Sequence, residues 1–193
     1  MTMTQRSAQL LQLHISLADI EPLIWRRIVV PDTVLFVELA WIILIVMGWK
    51  NRHLHEFRVG SLVIGDPSMD GEGDFHDETV TPLNQVIDDS IKQFGFCYDF
   101  GDDWWHQIVI EARLPDDGKG VRLLDGQNAC PPEDCGGVPG YFNLVEVMRD
   151  KKHPEYKDLR AWLGRSYDPT VFKPVTTRKL LREFLTGSMK PEE

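Results

Sequence analysis

The stretch "VLFVELAWIILIVMGW", Val34 to Trp49, decides the fold. It falls short of the roughly 20 apolar residues that a bilayer requires, and it carries Glu38. A buried helix is therefore the expectation, with no membrane partner. Pro31 with Asp32 or Thr33 supplies a start signal, and Gly48 stands where a left-handed residue ends a helix. From Phe36 to Met47 only Glu38 is charged, so no face offers the polar stripe of a surface helix. Cover must come from the same chain or from a second subunit. If one side stays open, Trp41, Leu44 and Ile45 form an apolar patch, and such patches mark interfaces. The expectation is a two-fold homodimer through the helix containing Trp41 and Ile45.

Outward from this helix the pattern changes period. Upstream, "LQLHISLADI" and "LIWRRIVV" alternate like half-buried strands, and Asp19, Glu21 and Pro22 punctuate them, which predicts an antiparallel pair. Downstream, "HLHEFRVG" and "SLVIG" read as strands and "DPSMDGEGDFHDE" as a polar loop. "TPLNQVIDDSIKQF" reads as a short helix. "FGFCYDF" and "WWHQIVIEA" read as a hairpin about Gly101-Asp102-Asp103. The block "NACPPEDCGGVPGY", Asn128 to Tyr141, must be irregular, since Pro-Pro and Gly-Gly both break regular structure. "YFNLVEVMRD", "PEYKDLRAWLG" and "TTRKLLREFL" are amphipathic at helical spacing. The class predicted is α+β: a mainly antiparallel sheet packed against helices, the helices concentrated in the C-terminal third. One domain is expected over 10–187, between disordered ends at 1–9 and 188–193.

The net charge of −9 is unevenly placed: residues 61–140 hold 17 acidic and 4 basic side chains. Such a surface repels a phosphate backbone and argues against nonspecific nucleic-acid binding. The three cysteines, Cys97, Cys130 and Cys135, are an odd and sparse set that suits a reducing cytoplasm. The N-terminus has no basic region leading into an apolar core with a small-residue cleavage site, so export is not expected.

The chemistry-bearing residues are bunched. If His53-Leu54-His55 lies in a strand, both imidazoles share a face with their Cα atoms about 6–7 Å apart, a spacing that lets them ligate one ion. A core histidine beside a solvated one explains the same pattern. In "YDFGDDWWH", Tyr98 to His106, Asp side chains can bond the turn's amides and Gly101 can take a positive φ. The paired tryptophans suggest that Trp104 or its neighbour fills the core while the other covers something. On the returning strand His106 would stand near the acidic turn, where Asp99 or Asp102 could orient or ligate it. Asp99-Phe100-Gly101 spells the kinase metal-binding triplet, but the chain has neither a Gly-rich phosphate loop nor an H-R-D catalytic loop. Glu133 and Asp134 follow a stiff Pro-Pro and precede a Gly-Gly that lets backbone approach closely; an acidic cap on the next helix is the alternative. The four-residue gap between Cys130 and Cys135 differs from a zinc knuckle.

These same segments carry a resemblance. "IWRRIVVP", "MGW" followed by "HLHEF", Asp77-Glu78, "YDFGDDWWH" and "ACPPEDCGGVPGY" occur in an order similar to the family named after the third open reading frame of a root-inducing (Ri) plasmid, over roughly residues 10–185. The resemblance implies a cytoplasmic α+β domain of plasmid or insertion-sequence origin, with no established activity. Relatives tend to carry His and Gln in the first helix where this chain has Ala40 and Leu44.

Together these readings predict an accessory or binding domain with one His/carboxylate pocket: His53, His55, Glu78, Asp99, Asp102, Trp104, His106, Glu133 and Asp134. A divalent metal ion is the cofactor that such donors suit, with His53, His55, His106 and Asp102 as its expected ligands. The alternative is a metal-dependent hydrolase using the same pocket, in which the ion lowers the pKa of a bound water and Glu133 or Glu78 acts as base. A weaker alternative is DNA binding by the basic C-terminal helices around Arg178, Lys179 and Arg182.

Overall fold

The computed structural model describes residues 9–69, 75–164 and 167–188. The expected opening pair is present as β1 (Gln9–Leu17) and β2 (Trp25–Pro31), antiparallel from Leu10 opposite Pro31 to Ser16 opposite Trp25. Leu11, Leu13, Ile15 and Leu17 of β1 are buried, while Gln12 and His14 between them face outward. Gln9 already stands in β1; residues 1–8 and 189–193, most of the ends expected to be disordered, lie outside the described residues.

Helix α1 (Phe36–Met47) follows and lies on the buried face of the sheet. Its first amides are satisfied by a neighbouring loop, Phe36 N by the Thr81 carbonyl at 3.0 Å and Val37 N by that of Glu78 at 3.1 Å. Glu38 reaches back to the Leu35 amide at 2.8 Å. Gly48 ends the helix with φ 115°, and its N–H donates to Leu44. No helix among the described residues is long and apolar enough to cross a membrane.

The remaining strands are β3 (His55–Val59), β4 (Leu62–Gly65), β5 (Phe75–Asp77), β6 (Gln93–Tyr98), β7 (Trp104–Pro115) and β8 (Arg122–Gln127). They complete an eight-stranded sheet in the order β5-β4-β3-β6-β7-β1-β2-β8, antiparallel except between β4 and β5. The short helix α2 (Leu83–Val86) precedes β6, and α3 (Gly137–Arg149), α4 (Tyr156–Leu163) and α5 (Pro174–Leu185) close the chain. The class is α+β, with three of the helices in the C-terminal third as predicted.

Three local readings are corrected and one strand is added. The polar loop after β4 contains a strand, β5, which pairs parallel with β4. The stretch "RLLDGQ" forms β8, although only Leu123 in it is fully buried. Its free edge is held by Arg178 of α5, which donates to the carbonyls of Leu123 at 3.0 Å and Leu124 at 2.6 Å. The irregular block ends early, because α3 begins at Gly137 and takes Pro139 into its first turn, where a missing N–H costs nothing. Finally, β3 begins at His55, so His53 stands before the strand and the two histidines do not share a strand face.

The apolar helix finds its cover within the chain. Leu44 is fully buried, Ile45 is nearly so, and Trp41 stacks on Phe184 of α5 with ring centroids 6.0 Å apart. Of the patch expected to mark a two-fold contact, Leu44 and Ile45 are buried and Trp41 is half-buried.

Candidate functional site

The site is built on the turn between β6 and β7. Asp99 has φ 59° and its Oδ1 accepts from the amides of Gly101 at 3.0 Å and Asp102 at 3.3 Å. The left-handed residues of this turn are Asp99 and Asp103, not Gly101. Turn-holding through Oδ1 leaves Asp99 Oδ2 free to face His53, whose Nε2 lies 3.5 Å away. Asp102 points the other way: its Oδ2 accepts from the Gly136 amide at 3.1 Å and so anchors the loop after β8. That loop can approach only because residues 137 and 140 have no side chains. A Cβ on Gly137 would stand 2.5 Å from the Asp102 carbonyl oxygen, and one on Gly140 would stand 1.9 Å from that of Cys135.

The approach brings Glu133 and Asp134 to His53. Asp134 Oδ1 lies 3.0 Å and Glu133 Oε2 3.9 Å from His53 Nε2. Glu133 is itself fixed, since its Oε1 accepts from the Lys50 amide at 2.7 Å and its carboxylate accepts from the Tyr98 hydroxyl at 3.1 Å. Tyr98 in turn accepts from the Arg52 amide at 2.9 Å. The Nε2 atom of His53 is buried, yet none of its carboxylate contacts has the direction of a hydrogen bond. Among the described residues, His53, Asp99 and Asp134 form the group of imidazole and carboxylate donors whose ligand atoms all lie within 4.8 Å of one another.

The other predicted residues are placed apart from this cluster. His55 Nε2 meets Glu78 Oε2 at 2.9 Å, both side chains buried. His53, His55 and Glu78 line one cleft of about 400 Å³ with Val37 and Trp41 of α1, Arg52 and Asp66. His106 sits in the core, its Nδ1 3.2 Å from the Phe96 carbonyl and its ring edge-on to Trp49. Burial pushes its pKa down to about 4. Trp104 is buried against Trp49. Its neighbour Trp105 covers Gly95 on the outer face under the guanidinium of Arg58. Of the expected ligands His53, His55, His106 and Asp102, only His53 belongs to this group of converging donors. Burial pushes the Cys97 and Cys135 thiols up to about 12, which keeps them protonated and poorly suited to nucleophilic work. Two contributors escape sequence reasoning, Tyr98 and the backbone amide of Lys50; the aromatic inside an acidic motif was the available signal for the first.

The matches to known proteins agree with this architecture. The sequence fits the family model described as plasmid pRiA4b ORF-3-like protein over residues 9–176. The chain belongs to that family. An uncharacterized protein, y4hQ, from Sinorhizobium fredii (strain NBRC 101917 / NGR234) is 38% identical over 164 residues, which cover 83% of this chain and 84% of the relative. The crystal structure of a protein of unknown function, MM3350, from Methanosarcina mazei Go1 superposes with a TM-score of 0.79 at 36% identity, over 89% of this chain and 98% of that one. In this member of the pRiA4b ORF-3-like family, three of the segments that carried the resemblance, "HLHEF", "YDFGDDWWH" and "ACPPEDCGGVPGY", meet at the β6–β7 turn.

Proposed function

We propose that this chain is a small cytoplasmic accessory domain that binds a divalent cation between His53, Asp99 and Asp134, with Glu133 as a fourth donor. The observation that carries the reading is the His53 Nε2 atom, buried and set among three carboxylates that do not accept a hydrogen bond from it. One imidazole with carboxylates suits Zn²⁺ or Mn²⁺, since imidazole favours the first and oxygen donors the second. The ion would offset the mutual repulsion of three carboxylates around one nitrogen, and Tyr98 and the Lys50 amide would keep Glu133 oriented, as outer partners of metal ligands do. A reducing cytoplasm suits three cysteines that are all free.

The test is a thermal melt of metal-free protein with and without added Zn²⁺ or Mn²⁺. A ligand that binds only the native state at about 100 times its Kd stabilises that state by about 2.7 kcal/mol. The melting temperature is expected to rise by several degrees, and the rise to vanish in His53→Ala and Asp134→Asn. His106→Asn, which touches no donor of the set, should retain it. An unmoved melting temperature with both ions overturns the reading. Turnover of phosphoester, peptide or amide substrates by the loaded protein would extend it to a metal-dependent hydrolase.

A further inference from the structure

The cleft beside His53 contains groups that the cation reading leaves unused. Its floor holds Glu78, a side chain 5% exposed. Glu78 Oε2 takes the His55 imidazole at 2.9 Å, while Oε1 meets no donor among the described residues. That oxygen is not sealed from solvent, so a donor entering the cleft can reach it. Another residue lining the cleft is Arg52, an exposed cation whose guanidinium has no carboxylate partner among the described residues; its backbone amide is what Tyr98 binds. The other carboxylate of the cleft, Asp66, already accepts from the Ser68 amide at 2.7 Å. Val37 and Trp41 add an apolar surface from α1.

An acceptor that lacks a donor, a cation that lacks an anion and an apolar surface define a ligand by its complement. We infer that the cleft binds a small zwitterion with an apolar arm, the chemistry of a free apolar α-amino acid: its ammonium donates to Glu78, its carboxylate pairs with Arg52, and its arm packs on Val37 and Trp41. A volume of about 400 Å³ lies within the range of small-molecule sites. Guanidinium suits a carboxylate because its planar fork can pair with both oxygens. A purely anionic ligand would leave Glu78 without a donor, and a purely cationic one would leave Arg52 without an acceptor.

The experiment is isothermal titration of the full-length protein with L-phenylalanine, and separately with 3-phenylpropionate and phenethylamine, which each lack one of its charges. L-Phenylalanine is expected to bind with a Kd at or below the millimolar range, and each analogue to bind at least about tenfold more weakly, the scale of one lost charge-assisted contact. Arg52→Gln, on an exposed side chain, should fold normally and bind L-phenylalanine at least about tenfold more weakly, while discriminating little between it and phenethylamine. Absence of saturable binding up to roughly 10 mM, beyond the millimolar range expected, overturns the inference. Equal affinity for either analogue overturns it as well and assigns the cleft to a simple anion or cation. The titrations are run both with Mn²⁺ and with chelator. Neither Arg52 nor Glu78 belongs to the proposed ion ligands, so loss of amino-acid binding with a retained metal-induced rise in melting temperature separates failure here from failure of the cation reading.

Discussion

His53 and His106 show how the same side chain acquires different chemistry from its surroundings. His53 precedes β3 at the surface and meets carboxylates from two distant segments, whereas His106 lies wholly inside, where desolvation disfavours the imidazolium. The folded-state pKa of His106 is lowered from 6.5 to about 4, so the unfolded chain binds the proton more tightly. The stabilisation is present in full above about pH 6.5 and is lost as the pH falls toward 4, at most on the order of 3 kcal/mol by the free energy of each pKa unit. Urea unfolding from pH 7 to pH 4 should show the decline, and His106→Asn should flatten this part of the profile whatever its effect at pH 7. An equally steep decline in the variant would assign the acid sensitivity to other groups. Glu111 contributes lower down, because hydrogen bonding by Arg27 holds its carboxyl at about 2, but this pair is largely solvated and screening reduces its share. Asp99 and Asp102 look equivalent in sequence and are divided by direction: one faces His53 and the other the Gly136 amide. Asp102→Asn should therefore weaken cation binding through the loop it holds, and less than Asp134→Asn does, as titration of metal-free protein with Mn²⁺ would measure.

At the scale of elements, α1 is defined by lacking a polar face, and its burial on nearly all sides follows. Placing a charge at Ile45 forces an ion into that core or unpacks α5 from Trp41. Ile45→Lys is expected to abolish folding or to cost at least about 3 kcal/mol, an uncompensated buried charge being among the largest single-residue penalties. Soluble, cooperatively folding variant protein of wild-type stability would show that α1 has room to present this side to solvent. The opening pair, α1 and the β6–β7 hairpin were legible because their periods are long and their stop signals strong. β8 was not, because Asp125 and Gly126 interrupt its alternation and its pairing depends on β2 and on Arg178, both remote in sequence. β5 was hidden for the same reason: three residues gain strand structure from a parallel neighbour. The site was legible as a set of segments and not as a ligand list, since the direction of a carboxylate is set by turn geometry. Gly137→Ala makes that dependence measurable. Its positive φ of 65° and the 2.5 Å approach to Asp102 force the loop away from the turn. Cation affinity should fall although no donor is altered, with a loss of stability of at least about 1 kcal/mol from the strained backbone.

Over the whole molecule, one side chain links parts that the sequence separates widely. Arg26 of β2 is 1% exposed and its guanidinium donates to the carbonyls of Val46 at 2.7 Å, Trp25 at 2.7 Å, Gln127 at 2.8 Å and Asn128 at 3.0 Å. The ring of Phe172 lies 3.9 Å from its central carbon. Burial lowers its pKa to about 10, so it stays cationic at neutral pH. Four carbonyl dipoles and an aromatic face compensate the charge without a carboxylate partner among the described residues, and they come from β2, the end of α1, the end of β8 and the start of the site loop. Arg26 therefore fixes where the segment carrying Glu133 and Asp134 departs from the sheet. Arg26→Met fills much of the same volume but leaves those carbonyls without donors, each costing about 1–3 kcal/mol where water cannot replace them. The expected loss is about 3–5 kcal/mol in urea unfolding, a large part of the 5–15 kcal/mol that holds an ordinary domain folded. Arg26→Lys should recover only part of it, because one ammonium cannot reach four carbonyls in a plane. Cation affinity in Arg26→Met, measured below its melting temperature, should fall together with stability, whereas His53→Ala should lose the affinity with little change in stability of the metal-free protein. Full cation binding by a destabilised Arg26→Met protein would show that the loop is positioned by its contacts with the β6–β7 turn alone.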